Sequence, residues 1–180
     1  TIAHLVSAPK TNGNQFCIFP LPKEIEMKKL SILFTQLFLF ISCSESTEYL
    51  SKIQDPELFQ EAMQNLTDIV VYDIFSPPVA SRVYLYPTLA AYEIVAHYNP
   101  DEFNSLVGQV KELKKIPTSD NPDINPQLAA LFSFTAVGKT LIFSEDKMEA
   151  FQEDFKKKLK TFKVPSRVSK ASEAYGKKKK

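Results

Sequence analysis

Leu66-Thr-Asp-Ile-Val-Val-Tyr-Asp-Ile-Phe-Ser-Pro-Pro-Val-Ala-Ser-Arg-Val-Tyr-Leu-Tyr-Pro-Thr-Leu-Ala-Ala-Tyr-Glu93 is the stretch whose reading decides the fold of this chain. Its first part continues a stripe of Phe59, Met63, Leu66, Ile69, Val70 and Ile74, spaced so that all of them share one side of an α-helix. Ser76-Pro77-Pro78 is expected to end that helix, because proline has no N–H to donate and restricts the residue before it. A second helix is expected over residues 79–98, with a kink or break at Pro87. Asp73, Arg82 and Glu93 sit among apolar and aromatic residues, and a lone buried charge is costly. They are therefore expected to pair inside a bundle.

Working outward, Asp55 suits a helix N-cap, Pro56 the first helical position and Glu57 the positive end of the helix dipole. Phe103, Leu106, Val107, Val110 and Leu113 read as a third helical stripe, followed by a polar loop over residues 117–125. Asn125-Pro126 repeats the cap-then-proline signal and opens a fourth helix carrying Leu128, Leu131, Phe132, Thr135, Leu141 and Ile142. Ser144 is expected to cap a fifth, with Glu145 and Asp146 in its first turn and lysines 156–160 at its end, an order that suits the dipole. Pro165-Ser166 opens a last helical start that runs into the terminal lysines. No useful strand alternation and no fixed repeat appears. The fold class is all-α, a helical bundle, with Leu66, Ile69, Val70, Leu131 and Phe132 in its core.

Composition narrows the function. A chain of 180 residues with 44% hydrophobic content can build one sizeable core. Its net charge of +1 gives no field to steer it toward nucleic acid, so no nucleic-acid partner is expected. Two cysteines, Cys17 and Cys43, do not make a disulfide framework, and two histidines, His4 and His97, offer no zinc cluster. The chain starts at Thr1 and ends in a lysine run, and both ends look arbitrary, which suggests a fragment or an imperfect gene model.

Residues 1–26 read as an unstructured leader that need not be translated. Met27-Lys-Lys opens a different pattern: a positive start, an apolar run over residues 30–41, then Ser42 and Cys43. The run has the length of a signal-peptide core and is too short for a membrane span of about 20 residues. Small residue then cysteine resembles a lipobox, although Ile41 stands where a small residue is usual. Residues 27–43 are thus expected to be a lipoprotein signal with Cys43 as the lipid-attachment residue. Residues 44–54 would be a tether and residues 55–180 the helical part, held to a bacterial cell-envelope membrane through the lipid.

Few residues carry chemistry. Glu93 and His97 are one turn apart and could share a metal, but with no second copy of the pair they read as a local contact. Gly138-Lys139-Thr140 imitates the end of a phosphate loop, yet Ser133 stands where the upstream glycine is required. The terminal lysines have no interleaved aromatic residue and read as a solvated helix end. No catalytic, cofactor-binding or metal-binding residue is assigned.

The decisive stretch also resembles a family. Pro-Pro-x-Ala-Ser-Arg-x-Tyr-x-Tyr at residues 77–86 and Ala-Tyr-Glu at 91–93 are similar to the N-terminal helical part of bacterial vanadium-dependent haloperoxidases, which share a fold with type-2 phosphatidic acid phosphatases. Ser105-Leu-Val-Gly-Gln-Val, Ile116-Pro117, Leu128-Ala-Ala-Leu and Phe143-Ser-Glu-Asp add to the likeness, which covers about residues 55–176. The resemblance implies a larger helical domain whose complete form oxidises halide with hydrogen peroxide on bound vanadate. A phosphatase on the same scaffold and a lipoprotein binding module without activity are the alternatives.

The same resemblance shows what is missing. The family holds its oxyanion with a Lys-x6-Arg-Pro element, a Pro-Ser-Gly-His element and a Ser-Arg-x5-His element. Ser81-Arg82 has Thr88 at the histidine position, Ser166-Arg167 has Glu173, and neither Arg-Pro nor Ser-Gly-His occurs. By this reading the chain is a non-catalytic portion that packs against a missing C-terminal catalytic half.

Overall fold

Six helices and one long irregular segment make up the computed structural model, which describes residues 47–178. The leader, the signal segment with Cys43 and the first three tether residues lie outside the described residues. The helices are α1 (Glu48–Ile53), α2 (Glu57–Tyr72), α3 (Pro77–Tyr98), α4 (Pro126–Lys139), α5 (Glu145–Thr161) and α6 (Ser166–Gly176).

The centre of the bundle is α4, which packs chiefly on α3 and α6 and also touches α2 and α5. Leu128 through Thr135 are all buried, so this helix has no solvent face over two turns and reads as apolar on every side. Asn125 starts it as expected: its side-chain oxygen accepts from the Leu128 N–H at 3.0 Å, and Pro126 occupies the first turn. Around it, α2 contributes Leu58, Ala62, Leu66, Ile69 and Val70, and α5 contributes Met148, Phe155 and Leu159. Phe59 meets Phe134 edge-on at 4.9 Å between ring centres, and Phe132 meets Phe155 at 5.6 Å. Each such side chain contributes about 1.5–3 kcal/mol through burial. The five core residues expected from the sequence are all buried.

Several expectations need correction. Helix α2 stops at Tyr72, five residues before Pro77, and Ile74 takes φ 55° and is 88% exposed. Ile74 therefore leaves the stripe it shared with Leu66 and Val70: a left-handed residue turns the chain out of the helix. The next helix begins at Pro77 and runs unbroken through Pro87. The Pro87 ring is buried, with Gly138 of α4 beside it, so packing offsets the backbone bond that proline cannot make.

The third stripe is not a helix. Residues 99–125 are irregular, Gly108 has φ 85° and Glu112 φ 67°, and Phe103 and Val110 are 39% and 40% exposed. Positive φ values interrupt any α-helical run, and the helical spacing here was fortuitous. Ser144 precedes α5 but does not cap it; its hydroxyl donates to Asp73 Oδ1 at 2.5 Å instead. In addition, the latter part of the expected tether is helical: Glu48–Ile53 forms α1, and its Ile53 is buried in the core. Among the described residues, no helix is long and apolar enough to cross a membrane.

Candidate functional site: an apolar cleft beside Glu93

Glu93 is carried on the inner side of α3 and is 3% exposed. It does not pair with His97. Its two carboxylate oxygens accept from Ser105 Oγ and from the Leu106 N–H, both at 2.7 Å. Charge-assisted bonds of this kind are about twice as strong as neutral ones. They pin the irregular segment 99–125 against α3. Tyr92 adds a hydroxyl bond to the Asn104 carbonyl at 2.8 Å and an edge contact with the Phe103 ring. At the far end of the segment, the Tyr175 hydroxyl of α6 donates to the Pro117 carbonyl at 2.8 Å. Burial and the neighbouring Tyr98 push the Tyr175 hydroxyl up to about 12, so it stays a donor at any ordinary pH.

The pinned segment stands off from α4 and leaves a cleft of about 820 Å³. Its walls are mostly apolar: Leu89 and Ala90 from α3, Leu113 and Ile116 from the segment, Ala136 and Val137 from α4. Three buried polar side chains also reach it, Glu93, Ser133 and Gln152. Glu93 is occupied by the segment. Gln152 is different: its Nε2 is buried with no hydrogen-bond partner among the described residues. Nothing in the sequence reading singled out Gln152. The available signal was a polar residue within the Met148, Phe155, Leu159 stripe of α5.

A second, smaller hollow of about 320 Å³ lies where the start of α2 meets α3 and α4, lined by Leu58, Ala91, Val95, Leu128 and Leu131 among others. Its polar lining residues are Gln54, Asp55, Thr88, Tyr92 and Gln127.

The remaining candidates are dispersed rather than brought together. Asp73 lies at the end of α2, Arg82 is exposed on α3 and Glu93 is held by the segment, so the expected internal pairing does not occur. Asp73 accepts from the Phe143 and Ser144 N–H groups at 2.8 and 3.1 Å as well as from the Ser144 hydroxyl. Burial would raise this carboxyl, but those bonds outweigh it and hold it below the ordinary range. His97 stacks edge-on against Tyr98, and Arg167 lies 3.5 Å from Asp123. Gly138-Lys139-Thr140 ends α4, where Lys139 pairs with Glu145 and Glu149. Lys177 pairs with Glu173. No group of three or more potential metal ligands forms among the described residues.

An oxyanion such as vanadate needs Lys, Arg, His and backbone donors converging on one point. Arg82 near the start of α3, His97 on its last turn and Arg167 on α6 do not fit that requirement. Cys43 lies outside the described residues.

Neither a protein-family model nor a curated protein matches this chain. A solved structure does: the crystal structure described as that of the first bacterial vanadium-dependent iodoperoxidase superposes with a TM-score of 0.62 at 43% sequence identity. The chain is vanadium haloperoxidase-like. The likeness covers 67% of this chain but only 29% of the iodoperoxidase chain, so the haloperoxidase-like helices correspond to less than a third of that relative.

Proposed function

We propose that this chain is the N-terminal, non-catalytic helical portion of a lipid-anchored vanadium-dependent haloperoxidase-like protein. In the complete protein, halide would be oxidised by hydrogen peroxide on vanadate held by residues beyond this portion. The observation that carries the reading is the pairing of 43% identity to an iodoperoxidase with the absence of all three oxyanion elements from the 180 residues. The helices supply a scaffold, and the chemistry belongs to another part of the polypeptide.

The anchor rests on the order of Met27-Lys28-Lys29, the apolar run and Ser42-Cys43. It places the protein on a bacterial envelope membrane through a lipid on Cys43. Metabolic labelling with a fatty-acid probe in a bacterial host tests it. The wild type takes up label and sediments with membranes, whereas Cys43→Ser loses the label and becomes soluble. Equal labelling of the two would remove the anchor from the proposal. The catalytic part of the reading is tested on the source DNA. A frame that continues past Lys180 into Lys-x6-Arg-Pro, Pro-Ser-Gly-His and Ser-Arg-x5-His supports it, and a continuation without them refutes it.

A further inference from the structure

We draw no further inference here: the strongest candidate, the apolar cleft of about 820 Å³ between α3, α4 and the segment 99–125, is an unpartnered apolar surface, and nothing in the structure shows what covers it.

Discussion

Asp73 caps a helix to which it does not belong. Its carboxylate ends α2, yet it accepts from the Phe143 and Ser144 N–H groups at the entry to α5 and from the Ser144 hydroxyl. Ser144 cannot cap α5 with its own side chain while donating to Asp73, and the clasp joins residues 71 positions apart. Asp73→Ala should cost about 0.5–2 kcal/mol, the usual range for a lost cap. The folded-state carboxyl titrates below its unfolded value. Its stabilisation is therefore fully present above about pH 4 and is lost as pH falls through the lower folded value. Urea unfolding of wild type and Asp73→Ala should show a constant gap at pH 5–7 that closes toward pH 2. A gap that widens on acidification contradicts the clasp. Gly176 makes a different single-residue demand, for space. A Cβ there would run into the Ala129 carbonyl oxygen and stand 2.9 Å from Phe132 Cβ, both in the buried helix α4. Gly176→Ala should destabilise by about 1–3 kcal/mol, the cost of overpacking a filled core, and thermal unfolding measures it directly.

The elements differ in how far their local code carries. The start of α4 was legible because Asn125-Pro126 marks it and its apolar residues are dense enough to demand burial, but the helix ends at Lys139, so Leu141 and Ile142, expected within it, lie beyond its end. α5 was legible from its dipole-matched charges and its stripe, although Gln152 within that stripe was not noticed. The segment 99–125 misled because Phe103, Leu106, Val107, Val110 and Leu113 have helical spacing without a helix. What overrode the spacing is non-local: Glu93, more than ten residues upstream, takes the Ser105 hydroxyl and the Leu106 N–H. Pro87 misled in the opposite direction, since no rule applied along the chain shows that its ring will be buried, with Gly138 of α4 beside it. The segment's dependence on one carboxylate is testable. Glu93→Ala should cost about 1.5–3 kcal/mol, the range for hydrogen bonds to a charged group. It should also free residues 99–125 for proteolysis while the helices stay folded. Limited trypsin digestion at Lys111, Lys114 and Lys115 reads this out; unchanged cleavage rates in the variant would show that Tyr92 and Tyr175 hold the segment without it.

At the scale of the whole molecule, the described residues have a core but no converged chemistry. α2, α4 and α5 bury their stripes against one another, and every charged group the sequence reading considered for a site is either spent on structure or remote from the others. Halide oxidation or phosphate-ester hydrolysis both require donors preorganised around an oxyanion. Arg82 and His97 are fifteen residues apart on the unbroken helix α3, which separates them by about 22 Å at 1.5 Å per residue. Arg167 sits on a different helix and lies against the Asp123 carboxylate. The purified chain is therefore expected to give no vanadate-dependent bromide or iodide oxidation with hydrogen peroxide, and no hydrolysis of a chromogenic phosphate ester, above a protein-free control. Vanadate-dependent halogenation that disappears in His97→Ala would mean that α3 and its neighbours assemble a site after all. Halogenation that appears only when a longer polypeptide is assayed, and survives His97→Ala there, would place the oxyanion site outside these 180 residues.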